Sequence, residues 1–329
     1  MALDFAYAVA RTRVLETRLL DKDRLDRMIA APNAGEALKV LAETAYGSIA
    51  SQINAEEYEI MINAHLKDAY NLMRSVCPVH QVVDVLALKY DFHNMKVLLK
   101  DIYLKQHDDD LLINLGVVEL DKLKIFIQEE DYGDMPAILK GSLLKAKAAF
   151  EVSQDPQDID IILDNCYYEA VYGIADQIHS GFIKEFFRRQ ADMINIKTFM
   201  RVRKMGRDSR FLLKALLPGG HLDKSWFAEL IEMPLSVLAT RLKFTLYEAL
   251  SDAVMDFEHS GHLAFCEKAI DNELLTYVRD NRSDPFGPAA IVGYLWAVEN
   301  ETRIIRIIMV GKINDMPSDA IRQRVREVY

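Results

Sequence analysis

Few residues of this 329-residue chain are of a type and spacing that could do chemistry. His259, His262 and Cys266 stand at i, i+3 and i+7, with Glu258 beside the first. Two imidazoles and a thiolate at helical spacing are zinc-ligand types. Gly261 lies between them, however, and no second Cys/His cluster completes a site, so the expectation is a helix end with two solvated histidines and one buried thiol. Asp91 and Glu301 could act as general bases, but no nucleophile accompanies them at a readable spacing. No GxxxxGK[ST] loop is present: Gly311-Lys312 is followed by Ile313, and no glycine lies five residues before it. GxGxxG, GxSxG and HExxH are also missing. The expected catalytic residues, metal and cofactor are therefore none.

A basic stretch from Arg188 to Arg210 includes Arg189, Lys197, Arg201 and Arg203, with Phe186, Phe187 and Phe199 interleaved. A single-strand nucleic-acid groove is built from such residues. Here the aromatics fall in or near an apolar helical stripe, which predicts packing, and the net charge of −10 opposes a polyanion partner. No nucleic acid is expected, and a basic protein interface is the alternative use.

The elements that would carry these residues are helices. Half of the chain is hydrophobic and 27% charged, with only 14 glycines and 9 prolines, a mix that favours helix over strand. Cys77, Cys166 and Cys266 are odd in number and widely spread, which predicts no disulfide framework and a reducing compartment. MALDFAYAVARTRVLETRLL has neither the apolar core nor the cleavage site of a signal peptide, and no run of eighteen apolar residues occurs.

One stretch is written three times. In LKYDFHNMKVLLK, Val85, Leu88, Phe92, Met95 and Leu99 form one helical stripe, while Asp91, Asn94 and Lys96 break up the rest. An offset of 101 (192 − 91) gives Asp192, Asn195 and Lys197, with Phe186, Met193, Ile196 and Met200 in the stripe. An offset of 210 (301 − 91) gives Glu301 for the acid and Arg306 for the base, with Leu295, Val298, Ile305 and Met309 in the stripe. There Ile304 replaces the asparagine. A period near 105 residues suits a small domain. Boundaries are expected at the polar Gln106–Asp110 and at Pro218-Gly219-Gly220, giving domains 1–110, 111–218 and 219–329. Within them the patterns predict that Tyr46-Gly47 ends an early helix through a left-handed turn, that Gly206 and Gly311 end the second and third repeated helices, and that Pro317-Ser318-Asp319 caps a last helix, Ala320 to Tyr329. Phe244 to Ile270 reads as helix with a break at Ser260-Gly261, and Leu112 to Val118 could form a short strand.

The third copy brings a resemblance into view. Ala289 to Tyr329 contains Glu299-x-Glu301-x-Arg303-x-x-Arg306, then Val310-Gly311-Lys312, then Pro317-Ser318-x-x-Ile321-Arg322-x-Arg324-x-Arg326-Glu327. This closely resembles the C-terminal end of the C subunits of prokaryotic A/V-type ATPases, the counterparts of the eukaryotic vacuolar d subunit. YAVARTRVLETRLL, APNAGEALKVLAETAYG and the helices with YDFHNMK and DMINIKTFMR are similar to the rest of that family. The resemblance implies an all-α, funnel-shaped protein of three similar helical-bundle domains with pseudo-threefold symmetry. It implies a non-catalytic rotor component on the cytoplasmic face of the membrane, peripheral, seated on the proteolipid ring and receiving the foot of the central shaft, which the D and F subunits form. Membrane contact would pass only through the ring. Asp91, Asn94, Lys96, Asp192, Asn195, Lys197, Glu301, Arg303 and Arg306 are the candidate interdomain or socket residues, with intradomain caps and ion pairs as the alternative for them. An unrelated helical scaffold or adaptor is the alternative function.

Overall fold

The computed structural model describes residues 5–105 and 109–329; residues 1–4 and 106–108, and with the latter most of the expected Gln106–Asp110 hinge, lie outside the described residues. Every regular element among the described residues is helical. In order these are α1 (Ala6–Glu16), α2 (Lys22–Ala30), α3 (Ala34–Leu41), α4 (Gly47–Ala50), α5 (Tyr58–Val76), α6 (Gln81–Leu104), α7 (Leu120–Gln128), α8 (Ala137–Ser153) and α9 (Pro156–Gln177). There follow α10 (Gly181–Lys204), α11 (Ser209–Ala215), α12 (Lys224–Leu230), α13 (Leu235–Leu242), α14 (Ser251–Ser260), α15 (Ala264–Asn281), α16 (Ala289–Ile313) and α17 (Ser318–Arg324).

Short polar side chains start many of them. Asp21, Asn33 and Asp208 each accept from the backbone N–H three residues on, at 2.8, 2.9 and 2.9 Å. These bonds satisfy donors that a helix start leaves unpaired. Asp155 does the same two residues on, at 2.9 Å, with Pro156 in the first helical position.

The chain forms two compact units, Met1–Pro78 with Leu235–Tyr329, and Val79–Pro234. This partition crosses the three expected domains: α6 packs on α7, α8 and α9, while α16 packs on α1, α2, α3, α5 and α15. In the first unit, Leu25, Met28, Leu38, Leu41, Met61 and Ile62 close over Ile304, Ile305, Ile308 and Met309 of α16. In the second, Met95 and Leu99 of α6 and Phe186, Phe187, Met193 and Phe199 of α10 are all 2% exposed or less. The aromatics considered for base stacking are thus core residues, with no face left for a base.

Several local expectations change. Leu112–Val118 is irregular and not a strand, because its amides bond side chains of α6 in place of a neighbouring strand. Helix α3 stops at Leu41, and Gly47 opens α4 without a left-handed turn; an added Cβ there would stand 2.3 Å from the Ala42 oxygen, so close approach is what selects glycine. Gly311 lies inside α16, where a Cβ would meet Ile321 of α17 at 2.7 Å. Residues 264–281 form one helix, while 244–250 are turns and a 3-10 turn. The last helix ends at Arg324, and Val325–Tyr329 run on without helix. Gly206 does adopt a positive φ, +65°, two residues after α10.

Candidate functional site

The repeated acids are buried backbone tethers. Asp91, 0% exposed, accepts the Val117 N–H at 2.7 Å and the Val118 N–H at 3.1 Å. Asp192, also 0% exposed, accepts the His221 N–H at 2.6 Å and the Leu222 N–H at 3.1 Å. Three residues along each helix an asparagine completes the clamp. Asn94 accepts from the Ile113 N–H (2.9 Å) and donates to the Ile113 carbonyl (2.8 Å). Asn195 accepts from the Leu217 N–H (2.7 Å) and donates to the Leu217 carbonyl (3.1 Å). In both copies the asparagine grips a residue four before the first amide held by the aspartate (113 and 117; 217 and 221). Such acceptors replace the ladder partners that an irregular segment lacks.

Close approach is built in. Gly116 and Gly220 each precede the first tethered amide, and an added Cβ would lie 2.3 Å from Asp91 Oδ1 and 2.0 Å from Asp192 Oδ1. Pro218-Gly219-Gly220, expected as a boundary turn, is therefore an irregular run held by Asp192 and Asn195, with Gly219 at φ +79°.

The third acid makes a reduced version. Glu301, 5% exposed, accepts from the Leu20 N–H and, at 3.1 Å, from the Tyr46 hydroxyl. Leu20, Val118 and Leu222 each stand two residues before the first residue of a helix, Lys22, Leu120 and Lys224. By that register Arg18 occupies the place of Gly116 and Gly220, and Leu15, inside α1, that of Ile113 and Leu217. Burial pushes the Glu301 carboxyl up to about 7, against its hydrogen bonds and Arg24.

Lys96, Arg303 and Arg306 form ion pairs within their units. Lys96 on α6 meets Asp164 on α9 at 2.5 Å, and one turn on Lys100 meets Asp160 at 2.7 Å. Arg306 makes a two-pronged pair with Glu59 at 2.6 and 2.8 Å. Burial acts to raise the Glu59 carboxyl, yet the Arg306 pair outweighs it and holds it low. Arg303 meets Asp271 at 3.2 Å and lies over the Trp296 ring, 4.6 Å from its centre. Lys197 is half-buried on α10. So α6 brings together Asp91, Asn94 and Lys96, α10 brings together Asp192, Asn195 and Lys197, and α16 carries Glu301, Arg303 and Arg306. His259 and Cys266 sit on successive helices, and no three His, Cys, Asp or Glu residues converge among the described residues. No helix among them is long and apolar enough to cross a membrane.

A second repeated device emerges only with the structure. Leu41-x-x-Thr44-x-Tyr46 and Leu242-x-x-Thr245-x-Tyr247 form the same turn. In each the threonine hydroxyl donates to the leucine carbonyl (2.7 and 2.8 Å) and accepts from the tyrosine N–H (3.3 and 3.1 Å). Both tyrosines are buried. Their common offset of 201 (44 to 245) is the signal that the sequence carries for it.

Comparison with known proteins gives a match along almost the whole chain. The family described as ATP synthase (C/AC39) subunit matches residues 8–324. The chain is 24% identical to the C subunit of the V-type sodium ATPase of Enterococcus hirae, over 95% of each chain. It is 25% identical to the C subunit of the A-type ATP synthase of Methanocaldococcus jannaschii, over 97% of this chain and 85% of that one. With the C subunit of the V-type ATP synthase of Deinococcus radiodurans it shares 23% identity, over 98% and 91%.

Proposed function

Because the chain belongs to the ATP synthase (C/AC39) subunit family, we propose that it is the central-stalk rotor component of an A/V-type ATPase, a socket and spacer between the D–F shaft and the proteolipid ring. The nearly full-length family match carries this reading. The chain is a non-catalytic part of its complex. It acts at the cytoplasmic face, and it reaches the membrane only through the ring.

The physical requirement on such a part is torsional stiffness. A spacer that yields under torque stores the work of rotation and does not pass it on. Close-packed helices resist shear because their side chains interlock. The weak points are the irregular junctions between helices, where backbone groups have no regular partner. The Asp91–Asn94 and Asp192–Asn195 clamps fix two of them with four hydrogen bonds each, and Glu301 fixes a third. This recurrence supports three copies of one helical domain, read as 1–110, 111–218 and 219–329; the pseudo-threefold, funnel-shaped arrangement is what the family resemblance adds.

Buried Asp91, Asn94, Asp192 and Asn195 then stiffen the socket from within, while the half-buried Lys96, Lys197, Arg303 and Arg306 stand nearer its wall. Mixing the protein with the purified shaft pair and running size exclusion tests the reading. A stable ternary complex is expected. Elution apart from the shaft, with ion-coupled hydrolysis unchanged in a complex assembled without this chain, would overturn it and leave an unrelated scaffold.

A further inference from the structure

We propose that the third tether is a proton-gated latch: protonated Glu301 holds the junction at Leu20 closed, and its ionisation loosens that junction. The inference stands on the geometry of the first unit and goes beyond the rotor assignment. Asp91 and Asp192 each face two backbone N–H groups, with an asparagine clamp beside them. Glu301 has one backbone N–H and one tyrosine hydroxyl, and the clamp position is the apolar Ile304, wholly buried in the core. A single N–H leaves an ionised carboxylate under-solvated, whereas a protonated one is satisfied, since Oε2 can donate to the Tyr46 hydroxyl as readily as accept from it.

No cation among the described residues pairs with this carboxyl. Arg24 of α2 acts on it only at range and is itself paired with Asp21 at 3.1 Å. Arg18, after α1, faces Tyr294, about two turns before Glu301 on α16. From α5, His65 packs against Tyr46, ring centres 4.2 Å apart and planes tilted by 42°, and burial keeps its imidazole low despite Asp68. The acids of α15 and the start of α5, Asp271 and Glu59, are spent on Arg303 and Arg306, and Arg322 of α17 on Asp26. A cleft of about 420 Å³ lined by Thr17, Arg18, Leu19, Thr44, His65 and Tyr294 adjoins the latch, so water can reach the segment that must move.

The sign follows from linkage. The closed carboxyl titrates near 7 and an open, solvated one near its ordinary 4.5, so the closed state binds more protons. Closure is complete below the open value, is lost as pH rises through the closed value, and is constant above it. The expected span is 10^(7 − 4.5), about 300-fold in the opening constant.

Site-resolved amide hydrogen exchange of the full chain between pH 4.5 and 8.5 reads this. After correction for intrinsic rate, protection of the Leu20 amide should fall about 150-fold across this range, about 80-fold of it by pH 7, and level above pH 8. The Ile305 amide, in the middle of α16, reports global opening. Glu301→Gln keeps an acceptor for Leu20 but cannot ionise, so its Leu20 protection should be flat. Leu20 protection that is flat in the unaltered protein, that only follows Ile305, or that keeps its pH dependence in Glu301→Gln would overturn the latch.

Discussion

A mutant cycle between Asp192 and Gly220 puts the tether geometry to its most direct test. Replacing Asp192 with alanine removes two charge-assisted bonds, at 2.6 and 3.1 Å. Each such bond is worth about 1.5–3 kcal/mol. His221 is exposed and Leu222 half-exposed, so water recovers part of the loss, and a net cost of about 2–4 kcal/mol is expected. Replacing Gly220 with alanine should cost nearly as much for a different reason. The new Cβ would stand 2.0 Å from Asp192 Oδ1 and 2.6 Å from its Cγ, so the carboxylate must leave or the segment must lift, and either breaks both bonds. Gly220 has no left-handed backbone, so strain does not confuse the result. With Asp192 already alanine, the atoms that the new methyl would strike are gone, and Gly220→Ala should then cost within about 0.5 kcal/mol. The coupling is therefore about 2–3 kcal/mol. Trp226 lies in the second unit and Trp296 in the first, so urea unfolding followed by Trp226 fluorescence in a Trp296→Phe background isolates the relevant unit. Costs that add to within about 0.5 kcal/mol, the usual error for independent sites, would refute the claim that the glycine exists to admit the carboxylate.

Other outcomes follow from the same geometry. Asn94→Ala should destabilise the second unit by about 1–3 kcal/mol and speed exchange at the Ile113 amide, since both polar groups of Ile113 lose their partner. Gly311→Ala should cost about 1–2 kcal/mol and free α17, because Ile321 must give way to a methyl 2.7 Å off; unchanged protection in 318–324 would count against that packing. The Glu59–Arg306 pair, with Glu59 held below its ordinary value, adds stability that is present above pH 4.5 and lost as pH falls through the lower folded value. Both side chains are over two-fifths exposed, so the contribution should be only about 0.5–1 kcal/mol, and an Arg306→Met variant should lose that much at neutral pH and none in acid. Reversing charge at Lys96, Lys197 and Arg306 together should abolish shaft binding in a pull-down; binding unchanged with the fold intact would remove these bases from the socket.

The three copies are legible because a helix writes its stripe into the sequence. Val85, Phe92, Met95 and Leu99 recur with period and spacing that packing enforces, and the acid rides along at a fixed position. What the acid does is not legible, because its partners are backbone amides 26 and 29 residues on (91 to 117; 192 to 221) in segments with no periodicity. Main-chain donors carry no residue letter. Leu112–Val118 misleads for the same reason: a short run rich in apolar and β-branched residues looks like a strand, and nothing in its own letters says that Asp91 and Asn94 take the amides. Gly311 misleads because glycine for close packing and glycine for a turn are the same letter. The packing of α6 with α7–α9, and of α16 with α1, α2, α3 and α5, is equally hidden, since a stripe tells that a helix face is buried and not what buries it.

The departures of the third copy are one change rather than three. A short aspartate needs a glycine beneath it to reach the backbone, and Gly116 and Gly220 supply it. Glutamate is longer by a methylene, so Glu301 reaches Leu20 while Arg18 stands in the glycine's place. Asparagine is needed where the gripped residue is irregular, as Ile113 and Leu217 are. Leu15 lies within α1, where its amide belongs to the helix, so an asparagine opposite it would be a buried amide without employment. Isoleucine at 304 joins the apolar core instead. The helix that precedes the third junction thus alters the acid, the glycine and the asparagine together. It also gives Glu301 a tyrosine hydroxyl where Asp91 and Asp192 each hold a second backbone amide. That polar company is thinner than the two backbone donors each aspartate faces, and the proposed latch builds on this difference.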